Sequence, residues 1–248
     1  MPTPKETLFL GFETHSTEKI QAALAAGIDV NRLIDGKTPL TWLIEMYSRS
    51  HKFSDCVRCL VQAGLQYPDS GFLAVLLDDA EMLGAEIRKN PSLIRQQVDV
   101  RCAFTPLIGA SLLHLAAEYG LVNAARILID AGADVEARAA VDDYGFNGHT
   151  PIFHTVCQNA NHCQPVMRLL LKHGAKADVR LPGITWGKSF EWETTIFDVT
   201  PVSYAQAGLL PQFQRNERDV YENIRLLAEA LGRALPGELN VPNKYLHS

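Results

Sequence analysis

Apolar residues recur along this chain with a helical period in short bursts, and each burst is closed by a glycine. Four bursts share one phrase, running from Ile20 to Gly27, Val57 to Gly64, Ala125 to Gly132 and Met167 to Gly174, and a weaker fifth runs from Ile224 to Gly232. Apolar positions three and four apart put one greasy stripe on each predicted helix. The closing glycine supplies the left-handed stop that a β-carbon resists. A second phrase stands ahead of most of these helices: Gly36-Lys37-Thr38-Pro39-Leu40, Gly148-His149-Thr150-Pro151-Ile152 and Thr200-Pro201-Val202. Threonine is a natural N-cap, and proline pre-sets φ in the first turn, where its missing N–H costs nothing. Each unit is therefore predicted to hold two helices, most completely between Ser111 and Gly132.

Between Ser70 and Ala110 the pattern is less regular. Phe72 to Asp79 and Glu81 to Lys89 predict a pair stopped by Asn90-Pro91, and Val98 to Phe104 alternates like a hairpin arm. A second alternation follows in an aromatic stretch from Arg180 to Thr200. Ile184 and Trp186 read as one arm, Phe190 and Trp192 as the other, and Gly187-Lys188-Ser189 as the tip.

These phrases resemble the ankyrin repeat, whose signature is T-P-L-H-x-A-A and then a second helix ending in G-A-D, at a period of about 33 residues. The likeness is strongest over Leu107 to Ala137 and Gly148 to Asp178 and fades toward both ends. It implies an all-α fold, a solenoid of stacked helix pairs with β-hairpin fingers and one long aromatic insertion. The implied units are a degenerate capping repeat at 1–34, repeats at 35–69, 70–110 (irregular, with a long connection), 111–146, 147–198 (carrying the inserted finger) and 199–233, and a tail at 234–248. Together they form one cooperative array. Only His114 holds the signature histidine position; Thr41, Phe153 and Ser203 stand there in other units. Extra residues fall between paired helices at 48–54, 159–164 and 209–217. The tail, with Pro236, Gly237 and Pro242, reads as an extended strap that Tyr245 would pin.

Composition narrows the function. The 248 residues are 47% hydrophobic and carry a net charge of -5 with no basic block, which disfavours nucleic acid as a partner. No apolar run is long enough to span a bilayer, and no signal segment is recognisable. Five cysteines without a paired framework point to a reducing, cytoplasmic setting. No nucleophile elbow, P-loop, dinucleotide fingerprint or zinc-protease motif is present, so the chain reads as a non-enzymatic monomer without a cofactor.

The candidate site is accordingly a surface for a protein partner. Large aromatics beside charges characterise interface hot spots, which singles out Trp186, Lys188, Phe190, Glu191 and Trp192 in the finger. The alternative for the tryptophans is that they fold back and cover the neighbouring repeat. The ankyrin likeness also implies exposed positions on the first helices at Glu45, Met46, Glu118, Tyr119, Cys157 and Gln158, with finger tips near Lys37, Phe146, Asn147 and His149. Of these, Glu118, Tyr119, Gln158, Phe146 and His149 join the partner-binding set. The expected function is protein–protein interaction through the concave groove and the finger, as an inhibitor or neutraliser in its most specific form.

A second function class is a metal or small-ligand protein built on His149, His154, Cys157 and His162, with Cys163 and His173 nearby. Its His-x4-His and Cys-x4-His spacings are poor for a structural zinc site. Cys56-Val-Arg-Cys59 is a lone redox-type spacing without a βαβ context.

Overall fold

The computed structural model describes residues 2–102, 104–188, 190–210 and 215–234. Ser189 at the expected finger tip, and the expected strap with Tyr245, lie outside the described residues. The helices come in pairs: α1 (Pro4–Thr14) with α2 (Thr17–Ala25), α3 (Pro39–Glu45) with α4 (Phe53–Gln62), and α5 (Ser70–Leu76) with α6 (Ala80–Lys89). They continue as α7 (Leu112–Tyr119) with α8 (Val122–Asp130), a 3-10 turn (Pro151–Thr155) with α9 (Gln164–Lys172), and α10 (Pro201–Ala207) with α11 (Glu217–Ala230).

Local chemistry explains most of the boundaries. The Thr38 and Thr200 side chains accept from the N–H groups of Thr41 and Ser203, and Pro39 and Pro201 open the first turns behind them. Gly27, Gly64, Gly132 and Gly174 close their helices at φ between 88° and 98°. Thr150-Pro151 starts a 3-10 turn and not the α-helix that its phrase predicts. Thr150 makes no side-chain cap bond there, and β-branched Ile152, Thr155 and Val156 weaken the helical preference of the next turn. The start of α8 is capped from outside its own unit. Leu121 at the N-cap position offers no side-chain acceptor, and Asp78 of the preceding pair accepts from the Ala124 N–H at 2.8 Å and from Asn123 Nδ2 at 3.0 Å.

The first members α5, α7, the 3-10 turn and α10 pack successively on one another, and so do the second members α6, α8, α9 and α11. One apolar cluster runs through the stack from Leu8 to Leu227. Short strands lie along one edge. β1 (Gln97–Val100) pairs antiparallel with β2 (Leu107–Ser111), with a register slip between Val98 and Val100, and β3 (Leu181–Trp186) pairs with β4 (Thr194–Val199). The fold is thus helical with short hairpins.

Backbone bonds stitch these fingers together. Residues 139–149 double back, Ala139 N–H donating to His149 O at 3.0 Å and Gly148 N–H to Ala140 O at 3.1 Å. On one side Ala140 N–H donates to Ile108 O of β2, and on the other Asn147 N–H donates to Gly183 O of β3, both at 2.8 Å.

The second arm of the last hairpin begins at Thr194, opposite Trp186, and not at Phe190. Phe190 and Trp192 sit in the broad turn between the arms. Gly187 forces that turn: its φ is +68°, and a β-carbon there would lie 1.8 Å from the Trp192 ring. Only hydrogen fits.

Candidate interaction surface

Along the stitched fingers a row of large apolar side chains faces solvent. Tyr144 is 80% exposed, Phe197 66% and Val141 60%, and Ile108, Phe190 and Trp192 are exposed as well. Contiguous exposed apolar groups with a polar rim are the surface signature of an interaction site. Beside them a groove of about 420 Å³ opens between the fingers, with Arg101, Ile108, Val141, Asn147, Lys188 and Phe190 among its walls.

The finger's aromatics divide between packing and exposure. Phe104 stacks on Trp186 at 5.7 Å, Trp186 meets Trp192 at 4.5 Å, and Trp192 stacks on Phe190 at 4.6 Å. This ladder runs from half-buried Phe104 through buried Trp186 to exposed Trp192 and Phe190. Trp186 therefore folds back onto the stack, and its place in the partner-facing set is corrected. Lys188 and Glu191 are exposed, and Lys188 Nζ lies 3.6 Å from Glu193. Phe146 is half-buried, its ring 5.5 Å from that of Phe197.

Five further residues expected at the surface are inside: Glu118, Tyr119, His149, Cys157 and Gln158 are all buried. Glu118, Tyr119 and Gln158 belong to a buried network that sequence spacing hides, whereas His149 is packed against the His114 and His154 rings. Arg49, from the stretch between α3 and α4, reaches across 69 residues and donates Nε–H to Glu118 Oε1 at 2.8 Å. Its Nη1 donates to the Ser48 carbonyl at 2.8 Å, and its guanidinium lies 4.4 Å from the Tyr119 ring centroid. Glu118 Oε2 meets His154 Nδ1 at 2.8 Å and accepts from Gln158 Nε2 at 3.2 Å. Tyr119 donates its hydroxyl to the Ile44 carbonyl and stacks on Phe53 at 4.2 Å. Burial by itself would raise the Glu118 pKa; Arg49 and then His154 outweigh it and hold the carboxyl below its ordinary value. Glu45 and Met46 are half-buried.

His114 does what its signature position implies. Ser111 N–H donates to His114 Nδ1 at 3.1 Å, which fixes the proton on Nε2, and Nε2–H donates to His149 O at 3.0 Å in the next unit. The rings of His114, His149 and His154 meet edge to face, with centroids 4.7 to 5.8 Å apart. Burial, then His154, depresses His114 to about 3 and holds His149 well below its ordinary value.

The metal-site alternative is corrected by this packing. Among the described residues no group of three or more His, Cys, Asp or Glu is placed to hold a metal ion. His173 is exposed and apart from the others, while Cys163 Sγ contacts His162 Nε2 at 3.2 Å from a fully buried position. Beside His154, Cys157, Gln158 and Trp186 there is a cavity of about 10 Å³. That is the scale of one water molecule. Burial pushes the Cys56 thiol up to about 12 and raises Cys59 too, against any thiolate chemistry.

Ile108, Val141, Tyr144 and Phe197 escaped the sequence reading. Val141-Asp-Asp-Tyr144-Gly is nonetheless a turn with two large apolar residues that no helix or strand pattern claims, which is the signal that marks them.

Residues 82–181 match the family model of ankyrin repeats, in three copies. That span runs from α6 through α9 to the first residue of β3, and over it the likeness read from the Thr-Pro and glycine phrases holds. The crystal structure of EF0377, an ankyrin repeat protein, is 17% identical to this chain, with 90% of this chain and 96% of that one covered, at a TM-score of 0.38. No curated protein matches the sequence. Among the described residues no helix is long and apolar enough to cross a membrane.

Proposed function

We propose that this chain is a non-enzymatic binding protein that holds a protein partner against its finger edge, as a curved solenoid in which the units 1–34 to 199–233 act as one cooperative array. The observation that carries the reading is the exposed row Ile108, Val141, Tyr144, Phe190, Trp192 and Phe197 on fingers locked to one another by backbone bonds. Rigid elements carrying large, pre-ordered aromatic side chains bind with little loss of conformational entropy. The partner-facing set consists of Lys188, Phe190, Glu191, Trp192 and Phe146 from the expected residues, joined by Val141, Tyr144 and Phe197. The five described cysteines are all free and buried, which supports a reducing, cytoplasmic setting, and action as a monomer completes the reading. Inhibition of the partner is the specific form proposed.

The test is affinity capture from native lysate with the wild-type chain beside a Val141→Asp, Tyr144→Ala, Phe197→Ser variant, after melting curves show that both fold. Loss of a captured protein in the variant is expected. Identical captures refute the finger edge as the docking face.

A further inference from the structure

We infer that the groove between the fingers takes an acidic segment of a partner protein, with Arg101 anchoring a partner carboxylate and an adjacent apolar side chain resting on Ile108 and Val141. The inference rests on the finger edge being the docking face.

The charges around the groove sort themselves. Lys37 is paired with Glu45, and Lys188 lies 3.6 Å from Glu193. Asp142 is occupied by its own turn: its Oδ1 accepts from the N–H groups of Tyr144 and Phe146 at 3.0 and 2.9 Å, and its Oδ2 accepts from Asn147 Nδ2 at 3.0 Å. Arg101, by contrast, is exposed and has no hydrogen-bond or ion-pair partner among the described residues. Among the cations that line the groove, Lys37 and Lys188 each have an acidic neighbour and Arg101 has none among the described residues, while the charge of Asp142 is held by neutral donors of its own turn.

A guanidinium offers a planar fork that pairs with a carboxylate through two parallel bonds, a recognition that a lysine cannot reproduce. Arg101 directly follows β1, beyond the slip in register that separates Val98 from Val100. Exposed Ile108 and Val141 line the same groove of about 420 Å³, so an anion and an apolar group are accommodated side by side. A polyanionic backbone such as nucleic acid is disfavoured, because it would set a row of phosphates against Glu45 and Asp142, whereas a single carboxylate needs only Arg101.

The test is selection of displayed random dodecapeptides on the immobilised full chain, in wild-type, Arg101→Glu and Val141→Asp forms that melt alike. Wild-type binders are expected to carry Asp or Glu beside Leu, Ile, Val or Phe. Amidating that acid to Asn or Gln, or introducing Arg101→Glu, should each weaken binding at least about tenfold. Binders without acid preference, or binders indifferent to Arg101→Glu, overturn the anchor. If such binders are still lost with Val141→Asp, the docking face stands and only the anchor falls; if neither variant affects them, both readings fall. A wild-type chain that retains no peptide also overturns the anchor, leaving the face to the lysate capture.

Discussion

Replacing Glu118 by glutamine strikes the carboxylate at the centre of a buried network of Arg49, His154 and Gln158. The substitution keeps one oxygen for Arg49 Nε and turns the other end into an NH2 facing His154 Nδ1 and Gln158 Nε2, both of which meet Glu118 Oε2 in the native chain. The new NH2 then faces the Gln158 donor directly, and His154 can accept from it only by carrying its proton on Nε2. Arg49 also loses its counter-charge while its side chain remains only 2% exposed. Removing one partner of a buried ion pair costs about 3–5 kcal/mol, because the other charge stays desolvated. For a domain of this size about 1 kcal/mol moves Tm by roughly 2–4 °C, so Glu118→Gln should lower it by roughly 6–20 °C. The matching surface change, Glu45→Gln opposite Lys37, should cost less than about 1 kcal/mol. Urea titration of wild type, Glu118→Gln, Arg49→Met and the double variant provides the assay. The double variant is expected to lose less than the two single losses added together, since it leaves no orphan charge. A Glu118→Gln loss below about 1 kcal/mol, or strict additivity, would refute the account of the network.

Acid should destabilise the fold well before its carboxylates titrate. Burial, then Arg49, lowers His15 to about 4, and burial, then His154, lowers His114 to about 3. Unfolded histidines titrate near about 6.5, so between there and the folded values the unfolded chain binds more protons and stability falls with pH. The loss is about 2 kcal/mol per histidine at pH 5, roughly 4 kcal/mol for the two, and a urea midpoint equal at pH 7 and pH 5 would contradict it. Gly187→Ala forces a β-carbon toward the Trp192 ring at positive φ; a cost of about 1–3 kcal/mol and a changed near-UV dichroism of the tryptophan ladder are expected, and an unchanged spectrum would argue against the ladder. Asp78→Ala uncaps α8 and should cost about 1 kcal/mol by denaturant melting, with Asp78→Asn recovering much of it.

The helical stack was legible because its signals are local. A glycine at φ near 90° and a Thr-Pro pair announce a helix end and a helix start within a few residues. The interior charges were not legible. Glu118 occupies a position that a repeat helix usually exposes, and its burial depends on an arginine contributed from 69 residues away by an irregular stretch. Trp186 was legible as an aromatic on a strand, but its direction is set by Phe104 across the stack, again a distant residue. Val141, Tyr144 and Phe197 were missed for the opposite reason: they pack against little, so no periodicity selects them.

The cap that Asp78 places on α8 gives this junction a direction in time. The acceptor precedes the amide it receives by 46 residues. A chain emerging from its N-terminus presents the Asp78 carboxylate before α8 has been synthesised. The reverse holds for a fragment begun at Leu112, whose α8 would start with an open first turn. At this one junction the N-terminal neighbour completes the next unit's second helix, a nearest-neighbour term of the kind that holds a repeat array together.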